Sequence, residues 1–209
     1  VRPSRSVLVT FLLGWMLLCV SAAATADTIS TVLVPFTGGD VEVELTLSDD
    51  AGDGTIWGSL EVVKGAGDLR GLFLNIADGS LLSGLSVIGD DVTAFTTGGV
   101  IDLGRGSNLN GGGTPCPCDI GIEFGSPGIG GDDISSTEFW LSHDTEALTL
   151  ALFFDEWVGV RVTSVGDDYD SSREDSAKLM GVLPVPEPGT ASLLLLGLLG
   201  FGVAGVCRR

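Results

Sequence analysis

Four pairs of adjacent aspartates, Asp49-Asp50, Asp90-Asp91, Asp132-Asp133 and Asp167-Asp168, stand in turn-forming stretches. Carboxylates placed so can do two things. They can cap local backbone amides, which makes each pair a turn former. They can also converge with backbone carbonyls on a hard cation, which takes about six to eight oxygens from flexible loops. Calcium is therefore the cofactor this pattern admits. Asp132 and Asp133, with the carbonyls of the Gly-rich loop before them, are the candidate metal site, and Asp119 and Glu123 stand in reserve. An EF-hand loop does not fit, because from Asp49 onward the third position is Ala51 and the last is Leu60, where an oxygen ligand and a Glu are needed.

Trp57, Trp140, Trp157 and Tyr169 carry a second chemistry, since a flat apolar ring can stack on a sugar. Trp57 and Trp140 are the candidate ligand-binding pair. Strand alternation sets Ile56, Leu60 and Val62 on the face opposite Trp57, and Phe139 and Leu141 on the face opposite Trp140. The alternative for each ring is packing under a loop or a second layer. His143 is the sole histidine and has Asp144 beside it, but neighbours on a strand point to opposite faces. The histidine is thus expected to be a solvated strand-end residue. Cys116-Pro117-Cys118 is a close pair that could bridge outside the cytoplasm, in a small ring strained further by Pro117, or remain two thiols. A zinc site there lacks further ligands. There is no G-x-S-x-G elbow, H-E-x-x-H pair, P-loop or strand-borne G-x-G-x-x-G, so no catalytic residue is assigned and the chain is not read as an enzyme. Among so many acids, a carboxylate pair at glycosidase spacing carries no specificity.

Positioning these groups falls to strands. Val41 to Leu47 alternates strictly and directs Val41, Val43, Leu45 and Leu47 inward; after the turn residues 48–54, Ile56 to Val62 alternates again, which predicts a hairpin. Further β-rich runs at 72–76, 85–88, 92–95, 120–124, 137–142, 148–154, 158–165 and 178–182 are separated by Gly, Asp, Asn and Ser clusters. About ten short strands with turns between them predict an all-β fold, an antiparallel β-sandwich or jelly roll, with helix confined to the ends. Gly104 to Pro117 is packed with Gly and Asn and is expected to be a long exposed loop, and Gly125 to Asp133 a second loop.

Two apolar ends must be set aside before the body is judged. Arg2 and Arg5 precede the apolar run Val7 to Val20 and the small residues 21–26, the pattern of a secretory signal cut by signal peptidase after Ala26, with Ala24 and Ala26 as the small pair. Leu18 before Cys19 does not suit a lipoprotein cysteine. The other end reads Val185-Pro186-Glu187-Pro188-Gly189-Thr190-Ala191, then an apolar stretch to Val206, then Cys207-Arg208-Arg209. As a helix the stretch 191–207 would rise roughly 25 Å, enough to lodge in a bilayer. Arg208 and Arg209 would hold its end on the cytoplasmic side and leave the body outside. This tail resembles the PEP-CTERM sorting signal, the substrate class of exosortases. The resemblance is confined to residues 185–209 and rests on the Pro186-Glu187-Pro188 motif, the apolar stretch and the terminal arginines. It implies transient retention in the inner membrane, exosortase cleavage near the motif, and release to the cell surface or an exopolysaccharide matrix. It implies nothing about the body.

Of the 209 residues, whose formal net charge is −18, the ends hold four of the ten bases and, at Glu187, one of the 28 acids. Residues 27–185 therefore carry 27 acids against 6 bases, a net of −21. That field repels nucleic acid and anionic lipid, so nucleic acid is excluded as a partner. The expected organisation is a signal at 1–26, an acidic β-domain at 27–182, a Pro-rich linker at 183–190 and a sorting anchor at 191–209. The expected role is a structural or adhesive surface protein stabilised by calcium. A polysaccharide-binding module and an extracellular hydrolase are the alternatives.

Overall fold

Alternation is obeyed where it is strongest. Val41, Val43, Leu45 and Leu47 are fully buried, as are Ile56 and Leu60 of the partner run. Each such Val, Leu or Ile contributes about 1.5–3 kcal/mol by leaving water. The hairpin pairs Val43 with Val62, Leu45 with Leu60 and Leu47 with Gly58. The computed structural model describes residues 28–111, 117–126, 132–170 and 172–186. These fall within one compact unit, residues 26–186.

Ten strands are described. They are β1 (Thr28–Gly38), β2 (Glu42–Ser48), β3 (Ile56–Lys64), β4 (Ala66–Leu74) and β5 (Leu85–Ile88). Then follow β6 (Val92–Val100), β7 (Cys118–Phe124), β8 (Ser136–His143), β9 (Trp157–Gly166) and β10 (Asp175–Val182). They hydrogen-bond in the order β5-β8-β3-β2-β1-β10-β9-β4-β7-β6, and every pairing is antiparallel. The sheet is nearly closed, because its two edge strands β5 and β6 are joined by only three residues, 89–91. The long strand β1 turns the corner. Its residues Thr28 to Leu33 pair with β2, while Val34 to Gly38 pair with β10, with a slip of register between Pro35 and Thr37. Proline lacks the N–H that a continuous ladder needs, and a bulge bends the strand, so both devices favour the turn at this point.

One large core fills the interior, drawing Leu33, Leu45, Leu60, Phe139 and Leu141 from the first half (β5, β8, β3, β2 and the start of β1). The second half supplies Leu72, Leu74, Ile122, Phe124, Val160 and Leu179.

The all-β, antiparallel expectation holds, with three corrections. β1 is absent from the sequence-based expectation: Pro35 interrupts its pattern, and its outer positions mix Val with Thr and Ser. Leu148 to Phe154 is not a strand. Leu150–Phe153 forms a 3₁₀ turn whose Leu150 and Phe153 are buried, and a second such turn spans Gly79–Gly84. Short apolar runs have no period that separates strand from turn, so the helix content is not confined to the ends.

The third correction concerns Gly104 to Pro117. Within its described part, Ser107 and Leu109 are buried. Leu103 and Leu109 lie on the outer face of the second half against Phe73, Val100 and Cys118, forming a small second core. Gly121 and Gly159 make the seat: a Cβ on Gly159 would collide with Leu109, and one on Gly121 would lie 2.6 Å from Leu103 Cδ2. The loop is thus held by two leucines in a glycine-floored trough.

Among the described residues no helix is long and apolar enough to cross a membrane. The expected signal at 1–26 and anchor at 191–209 lie outside the described residues.

Candidate functional site

Strands β3 and β8 pair so that Trp57 stands directly opposite Trp140. Their neighbours Ile56, Phe139 and Leu141 take the inner face and are fully buried, which leaves both rings outside. Opposed residues in an antiparallel pair have Cβ atoms roughly 4.5–5.5 Å apart, so the two indoles share one patch. The row continues through the pairs Ile88–Trp140, Trp57–Ser48 and Ser48–Thr28. It therefore crosses all five strands of the first half. Trp140 is 40% exposed and Ile88 69%, while Trp57 is half-buried.

Polar groups surround this row on both sides. The Trp57 indole N–H donates to Glu138 Oε2 at 3.3 Å. One hollow of about 360 Å³ is lined by both tryptophans with Thr28, Ser48, Asp50, Asp53 and Thr55. A second, of about 260 Å³, lies on the other side of Trp140 among Ser59, Asp90, Asp91, Ser136 and Glu138. Several of these groups are held in place. Asp53 Oδ1 accepts from the Thr55 hydroxyl at 2.6 Å and from the Thr55 amide at 3.0 Å. Those two bonds, the hydroxyl first, hold its carboxyl below the ordinary range. Thr28 donates to Ser48 Oγ at 3.3 Å, and Ser30 shares a 2.8 Å hydrogen bond with Thr46 one row further on. The patch thus offers two apolar ring faces flanked by carboxylates and hydroxyls, a donor and acceptor set suited to a polyol.

The other sequence-predicted residues lie elsewhere. Asp132 accepts from the amide of Ser126, and Asp133 accepts from Arg173 at 2.6 Å. Arg173 lowers the Asp133 carboxyl from its ordinary value. The reserve Asp119 accepts from the Ile76 amide at 3.2 Å, and Glu123 is buried. Among the described residues no three His, Cys, Asp or Glu side chains gather as metal ligands. Trp157 and Tyr169 are exposed, but neither lies in the Trp57–Trp140 row; the Tyr169 hydroxyl donates to Gly67 O. Cys118 is buried in β7, and Cys116 lies outside the described residues.

His143 is not solvated. Its side chain is only 7% exposed, and Nδ1 accepts from the amides of Thr145 and Glu146 at 3.2 and 3.0 Å. Asp144 Oδ1 also reaches within 3.2 Å of Nδ1. Alternation does not forbid that approach, because β8 ends at His143. The imidazole caps a turn, which occupies the nitrogen a base would use.

At the end of the body, Leu183 is fully buried and bonded in both directions, donating to Glu156 O at 3.0 Å and accepting from the Asp155 amide at 2.9 Å. The chain is therefore pinned to the folded unit one residue before a segment of distinct character begins. Residues 184–209 match the PEP-CTERM protein-sorting motif. A PEP-CTERM motif implies export, transient anchoring in the membrane, processing by exosortase and display outside the cell. Pro186 is the last described residue; Glu187, Pro188, Arg208, Arg209 and the signal pair Ala24 and Ala26 lie outside the described set. No curated protein and no solved structure matches the chain.

Proposed function

We propose that this protein is a surface-displayed, non-catalytic adhesive module that holds polysaccharide on the outer face of its first half. In this reading signal peptidase removes residues 1–26 after Ala26. Residues 27–182 form a β-sandwich-like binding body, and exosortase acts at Pro186-Glu187-Pro188 while the 191–209 anchor sits in the inner membrane. The released body then remains with exopolysaccharide at the surface or in the matrix. The observation that carries the reading is the in-register pairing of Trp57 with Trp140 on an exposed strand face. Two indole rings side by side on adjacent strands suit successive rings of a polymer. The hydroxyls and carboxylates beside them suit its hydroxyl groups. The acidic surroundings favour neutral or amino-sugar polymers over anionic ones.

The test is co-sedimentation of the purified protein with the host's own exopolysaccharide. Trp57→Ala with Trp140→Ala is expected to weaken retention by at least tenfold, or about 1.4 kcal/mol, with little change in melting temperature, since both rings stand outside the core. Equal retention of the double variant would refute the reading. Melting with calcium against chelator addresses the metal at Asp132 and Asp133 separately, and an unchanged melting temperature removes calcium from the account.

A further inference from the structure

Residues 27–185 contain six bases: Lys64, Arg70, Arg105, Arg161, Arg173 and Lys178. Four of them, all the arginines, line a single cavity of about 390 Å³ whose wall holds only two acids, Glu174 and Asp175. In a body with 27 acids this gathers all four arginines in one place, where Asp133 pairs with Arg173 and Asp68 lies close to Arg70 behind the wall. Like charges brought together repel, so gathering them costs stability unless something of opposite sign completes the site.

Arg70 is 5% exposed, and its Nη1 is buried without a hydrogen-bond partner; so is Nη1 of Arg173. A native protein rarely leaves such a donor unsatisfied, and a cationic one is costlier still. These two are the unpartnered buried side-chain nitrogens among the described residues, and both belong to residues of this cavity. Arg173 is fixed from one side by Asp133 at 2.6 Å and stacks over Tyr169 at 5.1 Å. Arg161 is fixed by Gly106 O at 3.3 Å and Ala177 O at 3.2 Å, and burial lowers its guanidinium from the ordinary value.

The backbone around the cavity is irregular as well. The β4–β9 ladder slips between Leu69 and Gly71, on either side of Arg70, and the β10–β9 ladder slips between Asp175 and Ala177. Two wall residues, Arg105 and Ser164, have left-handed backbones, with φ of 52° and 51°, and so does Asp133 at 53°. Bulges and left-handed residues of this kind cluster where side chains are re-aimed for binding.

We propose that this cavity binds an oxyanion of the size of a sugar carboxylate or a sulfate group. Guanidinium forks match planar and tetrahedral oxyanions with paired N–H donors, and the cavity volume falls in the lower part of the range for small-ligand clefts, roughly 300–1,000 Å³. The anion would pair with the guanidinium groups that line the cavity and relieve the repulsion among them. This site lies apart from the tryptophan face and stands or falls independently of it.

The test is titration calorimetry and thermal melting of the full chain with sodium glucuronate, sodium sulfate, glucose and sodium chloride at matched ionic strength. Glucuronate or sulfate is expected to give saturable heat and a raised melting temperature, whereas glucose and chloride give neither. Binding of glucuronate alone assigns the site to an acidic sugar, and equal binding of sulfate assigns it to oxyanions at large. Arg161→Gln, at a half-buried position that tolerates change better than Arg70, is expected to weaken the anion at least tenfold. Arg105→Gln, on the exposed rim, should weaken it less, and Lys64→Gln, outside the cavity, should leave it unchanged. Trp57→Ala with Trp140→Ala should also leave it unchanged, which separates this site from the polymer reading. Absence of saturable heat with both anions, an equal response to chloride, or undiminished affinity in folded Arg161→Gln would overturn the assignment.

Discussion

Trp57 and Trp140 meet because two strands pair in register, whereas Arg70, Arg105, Arg161 and Arg173 meet because ladders slip and a loop folds back. On the first half, β3 and β8 run without a break from Ile56–Leu141 to Glu61–Ser136, so strand parity alone decides which side chains face out. On the second half, the shift at Leu69/Gly71 releases Arg70 from the parity of its neighbours. Arg105 arrives on the 101–111 segment, which Leu103 and Leu109 hold against the sheet. A regular ladder thus presents a flat surface, suited to stacking on an extended polymer. An irregular one makes a hollow, suited to enclosing a small charged group.

Phe139→Ala tests the comparison most severely. Phe139 lies behind Trp140 on the same strand, is fully buried, and packs across the interior on Phe124 of β7 with ring centroids 6.3 Å apart. Its removal should cost about 3–5 kcal/mol and lower the melting temperature in one transition monitored by both tryptophan fluorescence and anion-dependent heat. Two separate transitions would mean that the regular and irregular halves are independent, and would break the comparison.

Gly159→Val separates the two regions. Its side chain would occupy the trough where Leu109 sits, an overpacking worth about 1–3 kcal/mol. Displacing the loop should carry Arg105 and Ser107 away from the cavity, so oxyanion binding falls while retention on polysaccharide persists. Loss of both activities at equal protein stability would show that the loop also supports the tryptophan face.

Asp68→Asn gives the smallest and most diagnostic effect. Asp68 is 3% exposed, and its carboxyl is raised from its ordinary value chiefly by burial, against the lowering by the Ile134 amide and Arg70. Because its pKa is raised on folding, the folded state keeps this proton after the unfolded state has lost it. Its contribution is therefore favourable at low pH and declines as pH rises through the unfolded and then the folded value. The Asn variant lacks that decline, so its melting temperature relative to the native chain should rise between about pH 3 and pH 7. A relative fall would show that Arg70 is spent on Asp68, leaving less of its charge for the cavity.

Legibility followed the same division. Val41, Val43, Leu45 and Leu47 could be placed inward, and Trp57 and Trp140 outward, because a period of two fixes facing without reference to a partner. That the two tryptophans oppose one another could not be read, since the register of β3 against β8 depends on residues 81 positions apart at the Trp57–Glu138 contact. The arginines were invisible as a group, being spread from 70 to 173 with bulges that defeat parity. Leu103 and Leu109 were the overlooked signal: two leucines within a Gly- and Asn-rich stretch, too sparse to read as a strand but sufficient to dock a loop.

By itself the sequence determined the acidic balance, the all-β character and the address, because these rest on composition, on alternation and on the contiguous tail matched at 184–209. Each is a property of neighbouring residues. Only the tertiary structure decided that Thr28–Gly38 is the strand joining the two halves, that Leu148 to Phe154 turns rather than extends, and that two tryptophans and four arginines gather in separate places. Those outcomes depend on pairing between distant segments, where the burial of shared side chains overrides what any one segment prefers.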